Sequence, residues 1–178
     1  MSEKLSEHFT LEELIYSDTA KLKGINNTPD EIHKKVLKHT ADYLLEPLRK
    51  LLNEHYKTYN NKKVHHVGIR ITSGYRCLDL NTKVGSKDTS QHIKGEACDM
   101  EAIIYFIDET KTKIPYTEFY NFIKQAVKSN KISIDQLIQE KSGNAVWVHA
   151  SYSSWGSSKN RKQFLFQLWF LFLLIRLN

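Results

Sequence analysis

The 178-residue sequence contains little cysteine, proline or glycine, and each scarcity excludes a class of protein. Two Cys cannot build a disulfide-stapled miniprotein or a zinc site made of cysteines alone. Three Pro and seven Gly are too few for a collagen-like or linker-rich chain, while 11% aromatic residues are too many for a disordered one. No run of 18 apolar residues occurs, so no stable membrane span is expected. A single globular domain remains, which we expect to be a monomer.

The charge is positive, +6 from 26 Lys and Arg against 20 Asp and Glu. Such an excess can favour nucleic acid, an anionic membrane or an anionic cell-wall polymer, but dispersed Lys residues are typical of solvated helix faces. No recognition-helix or RNA-binding aromatic pattern is present, so no nucleic-acid partner is expected. Residues 1–5 are polar and resemble no secretory signal, which predicts synthesis in the cytoplasm.

The hydrophobic pattern predicts an α+β fold with N-terminal helices packed on a small, mostly antiparallel sheet. Thr10 to Glu13 form a capping box, and Thr28-Pro29 starts a long helix that Pro47 bends or divides and that ends near residues 59–61. Further elements are expected as strands at about 67–72, 96–103, 132–140 and 145–152 and as a helix at 116–127. We assign residues 1–163 to one domain, with helices at about 8–60 and a metal-site core at about 66–155.

The C-terminal tail, residues 164–178, is separated from that domain because it is nearly all apolar. From Phe164 to Ile175 only Gln167 is polar, and twelve residues are too few to cross a bilayer as a helix. A packed terminal helix or strand, membrane association and a non-native reading frame all remain open for this segment.

A candidate metal site lies in residues 90–99. Gly95 permits a sharp reversal, so that the loop bearing His92 can fold back over the strand bearing Asp99. One nitrogen and one oxygen could then lie about 2 Å from a common Zn²⁺ ion. His149 is the candidate third ligand, because strand alternation places it with Trp147 on the face away from the apolar layer.

One Zn²⁺ with three protein ligands keeps a fourth position for water, as catalytic zinc sites do. The reaction also needs a carboxylate that moves the water proton to the leaving amine, and Glu140 is our candidate. An even number of residues in the preceding turn would place Glu140 opposite Trp147 and diagonal to His149. Cys98 falls on the opposite face and is expected to be a small buried hydrophobe.

The spaced residues Ser90, His92, Gly95, Ala97 and Asp99, followed by Trp147-Val148-His149, resemble the zinc D-Ala-D-Ala carboxypeptidase family. This family shares the fold of lysostaphin, D-Ala-D-Ala metallopeptidases and the hedgehog signalling domain. Two upstream segments also resemble it, residues 71–81 and 9–20, the second being typical of a subgroup found in phages and prophages. The resemblance covers about residues 8–163.

The resemblance implies a role for each matching residue. His92, Asp99 and His149 would hold Zn²⁺, and Glu140 would be the general base. Arg76 would anchor or polarise the carboxylate or scissile carbonyl of the substrate through its bidentate guanidinium. The substrate-binding set is Arg76, Ser90, Gln91 and Trp147.

The expected activity is zinc-dependent hydrolysis of an amide bond in peptidoglycan stem peptides, by a carboxypeptidase or an endolysin-like endopeptidase of D,D or L,D specificity. The enzyme would act on the cell wall after release through a membrane lesion made by another protein. Many relatives carry the catalytic acid three residues before the last His, where this chain has Val146. The alternative is therefore a catalytically weak or inactive, metal-stabilised module that binds cell wall or protein.

Overall fold

The computed structural model describes residues 2–153, 160–168 and 173–176, and it confirms the α+β fold. The helices are α1 (Leu11–Ile15), α2 (Asp18–Lys23), α3 (Glu31–Thr40), α4 (Glu46–His55), α5 (Leu78–Lys83) and α6 (Tyr116–Lys128). The strands are β1 (Thr58–Tyr59), β2 (Lys62–Ser73), β3 (Ala97–Phe106), β4 (Lys111–Lys113), β5 (Gln136–Ser142), β6 (Ala145–Ser151), β7 (Gln163–Leu168) and β8 (Leu173–Arg176). A 3₁₀ turn at Gln91–Lys94 precedes β3.

The N-terminal helices begin at polar caps. The predicted capping box is confirmed, since Thr10 and Glu13 each bind the backbone N–H of the other at the start of α1. The predicted start of the next long helix at Thr28 is wrong, because Asp30 is the cap and accepts a hydrogen bond from the His33 backbone N–H. The short carboxylate at Asp30 satisfies an otherwise unpaired helical N–H, so the helix starts two residues later than predicted.

Pro47 divides the long helix as predicted. Proline has no N–H to donate, and α3 and α4 are joined by a wider π-helical turn at Ala41–Leu45 that ends just before it. The helix was expected to continue to about residue 60 but ends at His55, because Asn60 and Asn61 adopt positive φ angles and close a hairpin between β1 and β2.

The sheet is mostly antiparallel, as expected, in the order β1-β2-β3-β6-β5-β7-β8, with β4 also paired to β3. The pair β5 and β7 is parallel. Leu165 of β7 is buried and Phe164 packs against the core, so in its described residues the apolar tail extends the sheet. Residues 169–172 and 177–178 of that tail lie outside the described residues. No helix among the described residues is long and apolar enough to cross a membrane.

The core lies between the helices and one face of the sheet. Cys98, Met100, Ala102 and Ile104 alternate along β3 and are fully buried in this core. The inward position of Cys98 is the one predicted from strand alternation. Asp99 therefore emerges on the other face of the same strand, where the candidate metal centre lies.

Candidate metal centre

Three adjacent strands place two of the predicted ligands side by side. Asp99 of β3 is paired with Ser73 of β2 on one side and with His149 of β6 on the other. Residues directly opposite each other in an antiparallel pair bring their side chains close together on the same face. The strand register alone therefore brings the Asp99 carboxylate to the His149 imidazole.

The third predicted ligand, His92, comes from the 3₁₀ turn that precedes β3. The Ser90 hydroxyl accepts a hydrogen bond from the His92 backbone N–H and caps this turn. Gly95 ends it with a φ of +75°, the left-handed conformation that glycine adopts without strain, as the sequence predicted. The Thr40 hydroxyl donates to the Gly95 carbonyl at 2.8 Å and ties the turn to α3.

Together these elements bring His92, Asp99 and His149 into one buried cluster. His92 Nε2 lies 3.2 Å from His149 Nδ1 and 3.3 Å from Asp99 Oδ1, and the latter two atoms are 2.9 Å apart. Nitrogen and oxygen ligands at 2.0–2.1 Å from a tetrahedral Zn²⁺ ion are about 3.3 Å from one another. The three donor atoms thus fit three corners of a zinc site.

A backbone carbonyl fixes the orientation of the His92 ring. Gly74 O accepts a hydrogen bond from His92 Nδ1 at 2.6 Å. The proton is therefore on Nδ1, and the lone pair of Nε2, the atom that would bind a metal, faces Asp99 and His149. A Cβ atom at Gly74 would lie 2.2 Å from the Leu14 carbonyl oxygen, so only glycine allows this approach of β2 to α1. The strand predicted at about 67–72 carries no signal for this contact, which joins residues 60 positions apart.

Burial and charge act in opposite directions on the three cluster residues. Burial alone would raise the pKa of Asp99, but the charges and hydrogen bonds of His92 and His149 hold that pKa far below its ordinary value. Burial lowers the pKa of His92. Burial also tends to lower the pKa of His149, but the hydrogen bond and charge of Asp99, with the charge of Glu140, raise it. In the metal-free protein, a proton on His149 is thus stabilised by the two carboxylates.

Arg76 lies beside the cluster and contacts a candidate ligand directly. Its Nη2 donates to Asp99 Oδ2 at 3.0 Å, and its Nε donates to Ser73 Oγ at 3.0 Å. The Arg76 side chain is 13% exposed, and its guanidinium has no further hydrogen-bond partner among the described residues. It therefore neutralises the second oxygen of Asp99, a contact that the sequence analysis did not foresee.

Glu140 and Trp147 occupy the predicted register. The turn between β5 and β6 contains two residues, and Glu140 lies opposite Trp147 on the face that carries His149. Glu140 Oε1 is 3.9 Å from His149 Nδ1, and its side chain is buried. Trp147 is half-buried, and its indole N–H has no hydrogen-bond partner among the described residues.

The two polar residues next to His92 contact the protein itself. Ser90 caps the turn, and Gln91 Nε2 donates to Asp135 Oδ2 at 3.0 Å. Gln91 Oε1 is buried and has no partner in the part of the chain that the structure describes. The contact of Gln91 with Asp135, 44 residues away, is a feature that sequence reasoning missed.

A family model described as Peptidase M15 matches residues 7–113, three fifths of the chain. The chain belongs to the Peptidase M15 family. This confirms the resemblance to zinc D-Ala-D-Ala peptidases. The matched part of the M15 domain includes Arg76, His92 and Asp99, whereas Glu140 and His149 lie beyond it. No curated protein matches the sequence.

Membership of this zinc-dependent peptidase family supports a metallopeptidase, and the buried cluster is its candidate metal site. His92 and His149 would hold the ion through neutral imidazole nitrogens and Asp99 through its carboxylate, which are ligand types that zinc commonly takes. Three protein ligands would leave a fourth position for another molecule, which is the arrangement that hydrolytic metal sites use.

Proposed function

We propose that this M15 protein is a zinc-dependent peptidase that hydrolyses an amide bond in peptidoglycan stem peptides. The observation that carries the proposal is the spacing of 2.9–3.3 Å among the donor atoms of His92, Asp99 and His149, with the Glu140 carboxylate beside them. Zn²⁺ held by these residues would act as a Lewis acid and lower the pKa of water in the site. The proposed specificity is D,D or L,D.

Glu140 is proposed as the general base. Its Oε1 is 3.9 Å from His149 Nδ1, so the carboxylate lies beside the three atoms that would hold the ion and would be available to a water molecule bound there. The carboxylate would take a proton from the attacking water and pass it to the leaving amine, because that amine is expelled only once protonated.

Arg76 is proposed to stabilise negative charge on the substrate. Nη2 and Nε are engaged by Asp99 and Ser73, which hold the guanidinium plane in place, while Nη1 has no partner among the described residues. A guanidinium fixed in this way can donate to a carboxylate or to the oxygen that becomes negative during attack, with little reorganisation. Ser90, Gln91 and Trp147 are proposed to line the path of the peptide.

Digestion of purified peptidoglycan, followed by mass spectrometry of the fragments, tests this function. The zinc-loaded protein is expected to release shortened or separated stem peptides, and the mass lost identifies the bond cut. His92→Ala is expected to abolish both zinc binding and cleavage. Intact muropeptides after digestion by the zinc-loaded wild type would contradict the proposal.

Glu140→Gln separates catalysis from metal binding. Removal of a general base lowers kcat by about 10²- to 10⁴-fold, whereas the three donor atoms of the metal centre are unchanged. Zinc affinity within a few-fold of wild type, combined with lost cleavage, is the expected result. Unchanged cleavage by this variant would remove Glu140 from the mechanism.

The alternative function, a metal-stabilised module that binds cell wall or protein, is favoured by one observation. Val146 occupies the position three residues before His149, where many relatives have an acid, and it cannot transfer a proton. A binding module would retain adhesion to insoluble peptidoglycan in Glu140→Gln and would leave stem peptides uncut in the wild type. The location of the Glu140 carboxylate near His149 favours the enzyme.

We further propose that the protein acts at the cell wall as a phage- or prophage-type lysin. A net charge of +6 favours retention on an anionic wall polymer. Lysis of producing cells only when a membrane-permeabilising protein is co-expressed would support this, and equal lysis without it would contradict it.

A further inference from the structure

Asp135 is a buried carboxylate that the proposed reaction does not use. Its side chain is 4% exposed and precedes β5 directly. Oδ1 accepts from Arg161 N at 3.1 Å and Nε at 2.7 Å, while Oδ2 accepts from Arg161 Nη2 at 2.6 Å and Gln91 Nε2 at 3.0 Å. Such a set of donors offsets the desolvation of a buried charge.

The backbone of Asp135 joins the same location to two more segments. Its N–H donates to the Ser151 carbonyl at 2.7 Å, two residues after His149, and its carbonyl accepts from the Gln163 N–H at 2.9 Å. Asp135 therefore contacts the segment before His92, the segment after His149 and the start of β7. The bond to Asp135 is the one hydrogen bond that the Gln91 side chain makes among the described residues.

We propose that Asp135, held by Arg161, is a positioning residue for the metal centre, because it fixes Gln91 and hence the turn that carries His92. The inference rests on the metal site of the proposed function. Gln91 and His92 are consecutive in a turn of four residues, so a shift of the Gln91 backbone would move the imidazole relative to Asp99.

The chemistry of the contact allows one orientation of the Gln91 amide. The Asp135 carboxylate only accepts hydrogen bonds, so the NH₂ group of Gln91 must face it, and Oε1 stays buried without a partner. Leaving an acceptor buried and unpaired is unfavourable. The bond to Asp135 therefore holds the Gln91 side chain in a place it would otherwise leave.

Asp135→Asn tests the proposal with almost no change in size. The new NH₂ group replaces either Oδ2, which accepts from Gln91 Nε2 and Arg161 Nη2, or Oδ1, which accepts from Arg161 N and Nε. Two of the four hydrogen bonds are lost in either orientation, and so is the negative charge that attracts both partners. Because partners outside the ligand set alter metal affinity by about 10- to 100-fold, we expect zinc affinity to fall by about tenfold for this more remote residue. The visible spectrum of the Co²⁺-substituted protein should change as well, since it reports ligand geometry.

Two further variants complete the test. Gln91→Leu removes the link but leaves the Asp135–Arg161 pair, and it also answers the question if Asp135→Asn does not fold. Its loss of zinc affinity should be smaller in the Asp135→Asn background, because Asp135→Asn has already weakened the link that Gln91→Leu removes. The matched control is Asp108→Asn, an exposed carboxylate paired with Lys62, which should leave affinity and spectrum unchanged.

Wild-type zinc affinity and Co²⁺ spectra in both Asp135→Asn and Gln91→Leu would overturn the proposal, even if stability fell. Strictly additive losses in the double variant would overturn it too. These measurements require metal binding and do not require peptidase activity. A zinc-loaded wild type that leaves muropeptides intact would therefore contradict only the proposed function, while a wild type that binds neither Zn²⁺ nor Co²⁺ would overturn both.

Discussion

Gly74→Ala should damage both the fold and the metal centre, and the structure gives the size of the perturbation. The added Cβ would lie 2.2 Å from the Leu14 carbonyl oxygen, whereas ordinary contacts of this kind are longer by about 1 Å. The end of β2 must therefore move away from α1 by about that distance. The carbonyl of Gly74 itself accepts the hydrogen bond from His92 Nδ1 at 2.6 Å, so the displacement of Gly74 reaches the candidate metal centre.

Two separate quantities should change in Gly74→Ala. Overpacking of a close backbone contact lowers the free energy of unfolding by about 1–3 kcal/mol, to be measured by urea denaturation of the metal-free protein. Loss of the hydrogen bond that orients His92 should weaken zinc binding by about 10- to 100-fold, to be measured by competition with a chromophoric chelator.

Gly24→Ala is the control for a general effect of replacing glycine. Gly24 caps α2 with a φ of +63°, and a Cβ there would meet no atom within 4 Å. This variant should lose about 1–2 kcal/mol of stability from backbone strain and bind zinc as the wild type does. Wild-type zinc affinity in Gly74→Ala would refute the argument that the Gly74 carbonyl positions His92.

Three further predictions concern stability and reactivity. Zinc at 100 times its dissociation constant should raise the free energy of unfolding by about 2.7 kcal/mol, and His92→Ala should remove this increment in thermal denaturation. Burial tends to raise the pKa of Asp135, but Arg161 and Gln91 lower it below its ordinary value. The contribution of this carboxylate to stability is therefore complete above about pH 4, its pKa in the unfolded chain, and is lost as pH falls through the lower pKa of the folded protein. Acid titration should thus destabilise Asp135→Asn less steeply than wild type. Burial raises the pKa of Cys98, so a thiol reagent should modify Cys77 first and Cys98 only on unfolding, as peptide mass mapping can show.

The proximity of the candidate ligands could be predicted from the sequence because it depends on local rules. Gly95 permits a reversal, strand alternation assigns His149 to a face, and a turn of two residues sets the register of Glu140. Each rule acts over a few residues, so the sequence expresses it directly. The family motifs then identified the same residues without any knowledge of the strand order.

The supporting contacts could not be predicted, because they join residues far apart in the chain. Gln91 and Asp135 are separated by 44 positions, and Arg76 and Asp99 by 23. No periodicity relates such pairs, and only the packed sheet brings them together. The apolar tail was undecided for a similar reason, since the pairing of β7 with β5 depends on an available edge of the sheet and not on the composition of the tail.

The charges of the candidate metal centre predict how its net charge would change when a divalent ion binds. Asp99 and Glu140 supply two negative charges against the single positive charge of Arg76, and the raised pKa of His149 reflects the remaining negative charge. A divalent ion would displace the proton of His149. The net charge of Asp99, Glu140 and Arg76, which is −1, would then become +1 with the ion included. A bound anion would neutralise it, and the free carboxylate of a stem peptide is such an anion. The same argument predicts that neutral, amidated peptides bind the zinc-loaded site more weakly than peptides with a free carboxylate, and equal affinities in calorimetric titrations would contradict it.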